Sequence, residues 1–177
     1  MWSTTKTPPT SHLDHSRGGL ERLDEAGIDT VAVAGNHDYD ALPRIDNMVE
    51  ASRFQLLGRG GQWETTIVET EGSTPVQFVG WSFRDAHEPA SPLDDFRDGT
   101  VEPDMPTLGL LHAEVGVEES VYAPVGRDEL RRQPVAAWLL GHIHEPRTWE
   151  DISPPIPSRE VEKQSAGACQ SKRDRGN

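Results

Sequence analysis

The apolar positions of this chain fall into short runs, and several of these runs end in a burst of polar side chains. TVAVA (30–34), TLGLL (107–111) and AAWLL (136–140) are apolar over nearly their whole length. Such runs predict strands buried on both faces. WETTIVET (63–70) and VQFVGWS (76–82) alternate instead, and read as the arms of a hairpin around EGSTP. FQLLG (54–58) predicts one more short strand. In RGGLERLDEAG (17–27), Leu20 and Leu23 sit three apart and Gly27 supplies a stop, so the stretch predicts a short helix. DALPRIDNMVEAS (40–52), from Pro43 onward, and RDELRRQ (127–133) predict two more helices. Residues 84–106 are acidic, Pro-rich and without period, and read as loop.

Strands alternating with helices predict an α/β layered fold. Residues 1–16 read as a polar leader, 17–147 as the domain, and 148–177 as a Pro-rich and charged tail, expected to be disordered. SPPIPS (153–158) lies in that tail. No internal repeat is present.

Composition narrows the function classes. Of 177 residues, 34% are hydrophobic and 27% charged, and 17 Lys and Arg against 30 Asp and Glu give a formal net charge of -13. That balance opposes a general electrostatic grip on nucleic acid. Bound divalent metal would supply local positive charge that residue counting misses. A single cysteine, Cys169, excludes an internal disulfide and a multi-Cys zinc site. No apolar run approaches the roughly 20 residues of a membrane span, and the start MWSTTKTPPTSH lacks a signal-peptide pattern. The expected location is cytoplasmic.

The chemistry gathers at the strand ends. TVAVA runs into Gly35, Asn36, His37 and Asp38; TLGLL into His112; AAWLL into Gly141, His142, Ile143 and His144. Four of the seven histidines occupy these three ends. Taken singly each has an ordinary explanation: an Asx-type turn at GNHD, a satisfied buried imidazole at His112. In GHIH, residues two apart on an extended segment address one side. Jointly, three unrelated reasons for His at one sheet edge are a poorer account than one shared site beyond the carboxyl ends of the strands. Imidazole with amide and carboxylate oxygens suits a borderline divalent ion: manganese first, iron or zinc as alternatives. Two such ions can clamp a phosphate and activate water. His37, if not a ligand, could protonate the leaving oxygen, oriented by a carboxylate such as Asp38. No G-x-S-x-G elbow or phosphate-binding glycine signature offers a competing site.

GNHD, an LLH strand end and GHIH, in that order, resemble the last three motifs of the calcineurin-like metallophosphoesterases. The flanks LERLDEAGIDTVAVAGNHD, LGLLHAEVG, YAPVGRDEL and AAWLLGHIHEPR are similar to the nuclease subunit of bacterial and archaeal double-strand-break repair complexes. The resemblance covers residues 17–147, and AGACQSKRDRGN looks like a degraded version of a later stretch. It implies an αββα sandwich and a metal-dependent DNA exonuclease acting on DNA ends beside an SMC-like ATPase. Asn36, His112 and His142 would bind one metal and His144 the other, with His37 the general acid and Asp38 holding its ring. A phosphatase or cyclic-nucleotide phosphodiesterase of the same superfamily is the alternative enzyme; a non-catalytic remnant is the alternative from another class.

The departures are as specific as the match. The family's opening D-x-H and G-D-x-x-D strand ends, which supply the bridging aspartate, are absent; SHLDH (11–15) follows TTKTPPT rather than an apolar strand. His12, Asp14 and His15 are therefore read as part of the leader. The resemblance implies a partial domain without its first two strands, impaired in catalysis when alone.

Overall fold

The structure is a computed structural model that describes residues 10–69, 72, 74–97, 99–117 and 119–143. It is a mixed α/β fold with small sheets. Its centre is a four-stranded sheet in the order β3-β4-β5-β8, formed by β3 (Glu64–Val68), β4 (Val76–Trp81), β5 (Thr107–His112) and β8 (Ala137–Gly141). β3 and β4 are the antiparallel pair that alternation predicts, with Thr66 opposite Phe78. β4, β5 and β8 run parallel, so their carboxyl ends share one edge. Beside them lies a two-stranded parallel sheet of β1 (Thr30–Ala32) and β2 (Phe54–Leu56).

Pleating sends Val79, Trp81, Leu111 and Trp138 into the main core, where they join Phe83, Leu130 and Val135. Trp138 settles over Gly109 and donates its indole N–H to the Leu130 carbonyl at 3.1 Å. That bond anchors α3 (Arg127–Arg132) against the sheet. Acidic Asp128 and Glu129 in its first turn, and Arg131 and Arg132 in its last, complement the helix dipole.

Three sequence expectations need correction. The first helix, α1, spans Thr10–Glu25 and so takes in all of SHLDH and the end of the polar leader. Pro8 and Pro9 precede it, and proline is tolerated no deeper than a helix's first turn. The second, α2, spans Ala41–Met48 and begins before Pro43, because a proline in the first turn removes no intrahelical bond. The third concerns burial. TVAVA is half-buried over Thr30–Ala32 and pairs on one side with β2. AAWLL forms an edge strand: Trp138 is buried but Leu139 is 55% exposed. Leu110, Leu139, Leu140, Gly141 and Val33 border an open trough on that edge. The loop at 84–106 contains one turn of 3-10 helix, Pro92–Asp95, where the Trp63 indole N–H reaches the Pro92 carbonyl at 2.9 Å. A further small parallel pair, β6 (Glu114–Val115) with β7 (Pro124–Val125), follows β5.

One hydroxyl ties the two main sheets together. Ser82, just past β4 and buried, accepts from the Ala34 N–H at 2.8 Å and donates to the Leu57 carbonyl at 2.5 Å. The Phe83 N–H donates to the Ala34 carbonyl at 3.0 Å. The chain leaving β1 is thereby fixed against the end of β4, which places residues 35–38 at the carboxyl edge of the large sheet.

Candidate metal centre

Residues 35–38 turn back on themselves as they leave Ala34. The Gly35 N–H donates to the Asp38 carboxylate at 2.6 Å, and the Asp38 N–H to the Gly35 carbonyl at 3.3 Å. Asn36 is buried and points inward; His37 is exposed. His112, at the end of β5, lays its ring directly on Gly35. A Cβ on Gly35 would stand 2.5 Å from His112 Nδ1, and one on Gly141 2.9 Å from the same atom. Both glycines of the predicted motifs therefore make room for one imidazole.

The polar atoms converge. His112 Nε2 lies 2.9 Å from Asn36 Oδ1 and 3.3 Å from His142 Nδ1. Bonds of about 2.1 Å to one ion, at tetrahedral angles, set neighbouring donor atoms about 3.4 Å apart. The 3.3 Å between His112 Nε2 and His142 Nδ1 is close to that spacing, and the 2.9 Å to Asn36 Oδ1 is somewhat shorter. Among the described residues no group of three or more His, Cys, Asp or Glu side chains could hold a metal by itself. Here the third donor is an amide oxygen, so the set fits a single divalent ion bound with modest strength, completed by water.

The backbone supports the same focus. His142 has φ 95°, left-handed backbone that costs a residue with a Cβ about 1–3 kcal/mol and persists where the surroundings hold it. Its ring is held by His112, edge-on with centroids 5.2 Å apart, and by Tyr122 at 5.1 Å. Phe83 meets the His112 ring edge-on at 5.5 Å from the other quarter.

Of the expected site residues, the structure brings together Asn36, His112 and His142. His37 stands next in sequence to the donor set, on the exposed surface. The Asp38 carboxylate accepts from the Gly35 N–H and so closes the loop. His144 lies outside the described residues.

Two residues near the site carried no sequence signal. Tyr122 stood out as part of YAPV, with no chemistry attached, and His87 fell inside the aperiodic loop. His87 stacks on Tyr122, with centroids 5.7 Å apart and planes 28° apart. The loop bearing His87 is clipped in place by Glu88, whose buried carboxylate accepts from Arg84 N–H at 2.9 Å, Nε at 3.0 Å and a terminal guanidinium nitrogen at 2.7 Å. Those bonds from Arg84 hold the Glu88 carboxyl below its ordinary range, and Glu88 in turn raises Arg84.

No protein-family model, curated protein or solved structure matches the chain. Among the described residues no helix is long and apolar enough to cross a membrane.

Proposed function

We propose that the chain is a metal-dependent phosphodiester hydrolase of the calcineurin-like type, acting on DNA ends as the nuclease partner of an SMC-like ATPase. The observation that carries the reading is the meeting of three separate strand ends at one nitrogen: His112 Nε2 lies 2.9 Å from Asn36 Oδ1 and 3.3 Å from His142 Nδ1. The αββα sandwich, and manganese as the resident ion, belong to the same reading.

In this reading Asn36, His112 and His142 hold the ion, and His144 contributes to a second position. A bound divalent ion supplies Lewis acidity toward a phosphoryl oxygen and lowers the pKa of a water. The protein's own residues do the rest. Asp38 fixes the loop through the Gly35 N–H, so that His37 projects beside the donor set into solvent, where a substrate arrives. From there His37 gives a proton to the leaving oxygen, a general-acid role that imidazole commonly fills. Gly35 and Gly141 keep the His112 ring seated, and Tyr122 holds His142 from the open side.

The test is hydrolysis of bis(4-nitrophenyl) phosphate and of labelled double-stranded DNA ends with manganese, by the full chain and by His37→Ala and His112→Ala. Both substitutions are expected to lower the rate by about a hundredfold or more. Equal rates in wild type and variants, or no hydrolysis by wild type, would overturn the reading.

A further inference from the structure

We propose that His87 is a phosphate-binding residue at the rim of this site, taking the phosphate group that adjoins the one held at the donor set. The inference rests on the phosphodiesterase reading and names its substrate more closely: a nucleotide strand with a second phosphate next to the reacting one.

The argument begins with a mismatch between exposure and order. His87 is solvent-exposed, and exposed residues contribute little to a core. Its position is nevertheless fixed from three directions. On the N-terminal side, Arg84 and the buried Glu88 carboxylate close a three-bond clip around residues 84–88. On the C-terminal side, Glu88 N–H donates to the Val121 carbonyl at 2.8 Å, and Ala123 N–H donates to the Glu88 carbonyl at 2.7 Å. Glu88 and Tyr122 thereby form a parallel bridge. Above, the imidazole lies on the Tyr122 ring. Ala123, next along the chain, is fully buried with φ 50°.

The second step is chemical. The ring nitrogens of His87 have no hydrogen-bond partner among the described residues, whereas Arg84 is committed to Glu88. An imidazole carries at least one N–H donor in either protonation state and is a cation when protonated. The third step is placement. Centroid separations of 5.7 Å from His87 to Tyr122 and 5.1 Å from Tyr122 to His142 put the two imidazoles within about 11 Å of each other. That is near enough for His87 to reach the next phosphate along a strand whose reacting phosphate sits at Asn36, His112 and His142. The stack also keeps the ring from collapsing onto the surface, so its N–H remains available.

The experiment compares two small probes on the full chain loaded with zinc, by titration calorimetry at fixed pH: thymidine 5′-monophosphate and thymidine 3′,5′-bisphosphate. Wild type is expected to bind the bisphosphate about tenfold more tightly, the size of one charge-assisted hydrogen bond. His87→Ala and His87→Phe should both bring the two affinities within about twofold, while His87→Lys keeps the preference. His87→Phe is decisive, because it keeps the ring stacked on Tyr122 and removes the N–H. A preference that survives in His87→Phe, equal affinities in wild type, or no binding of either probe would each overturn the assignment. Hydrolysis of bis(4-nitrophenyl) phosphate, which has no second phosphate, tests the phosphodiesterase reading separately. A wild-type chain that prefers the bisphosphate without hydrolysing the diester keeps the His87 assignment and loses the catalytic one.

Discussion

His112 Nε2 faces Asn36 Oδ1 at 2.9 Å across 76 positions of sequence. One ring N–H can satisfy that contact, but the same nitrogen also faces His142 Nδ1 at 3.3 Å, and a single proton serves both poorly. A cation serves all three. The full chain is therefore expected to retain one manganese or zinc ion per molecule after dialysis, and His112→Ala none, as read by elemental analysis. Two tightly held ions per chain would contradict the expectation, because the described donors suffice for a single site.

Gly35 offers a sharper test of the same geometry. A methyl group there would sit 2.5 Å from His112 Nδ1. Since Gly35 and Asn36 are both buried, the ring must move and the donor atoms with it. Gly35→Ala is expected to cost about 1–3 kcal/mol of stability from overpacking. Metal affinity should fall by about tenfold or more, the scale for disturbing a residue that orients a ligand. A variant that melts lower yet binds zinc as wild type does would show that the ring has another way to settle.

Much of this architecture was legible in the sequence, and the remainder fails for identifiable reasons. The hairpin β3-β4, the strand β5 and the convergence of Asn36, His112 and His142 follow from period and from polar residues at strand ends. Leu139 could not be read correctly, because an edge strand and a central strand share the same apolar pattern, and pairing partners decide burial. The start of α1 at Thr10 has no sequence signal, because its first half, TSHLDHSR, carries one leucine and no apolar stripe. His87 was missed because its importance comes from Tyr122 and Glu88, contacts that no local spacing encodes.

Ser82 should matter for stability rather than chemistry. Its hydroxyl satisfies the Ala34 N–H and the Leu57 carbonyl where neither has water available. Ser82→Ala leaves a buried donor and acceptor unpaired, a cost of about 1–3 kcal/mol. Urea unfolding should show that loss with an unchanged m-value; Ser82→Cys should recover little, because a thiol is a weak hydrogen-bond donor. No change in the midpoint would mean that the sheets are held together elsewhere.

The Arg84–Glu88 clip should respond to acid. The Glu88 carboxyl is held below its ordinary value, chiefly by its hydrogen bond from Arg84, so the unfolded chain takes up its proton first. The stabilisation is then fully present above the ordinary carboxylate value of about 4.3 and is lost as pH falls through the lower folded value. Melting curves from pH 7 down to pH 3 should show wild type losing more than Glu88→Gln. Parallel curves for the two proteins would remove Glu88 as a source of acid sensitivity.

His142 carries the test of whether backbone strain is tied to this site. Glycine and alanine both delete the imidazole, with its contacts to His112 and Tyr122, so comparing the two isolates the backbone. At an ordinary exposed position alanine is the more stable choice by about 0.5–1 kcal/mol, because glycine loses more chain entropy on folding. At φ 95° the order should reverse, since alanine must hold its Cβ in a conformation glycine adopts freely. In EDTA, His142→Gly is therefore expected to unfold at higher urea than His142→Ala, by about 1 kcal/mol, while neither variant retains zinc. If alanine proves the more stable, the strand end has relaxed to an ordinary φ once the ring is gone, and the strain belongs to the contacts of the imidazole rather than to the path of the chain.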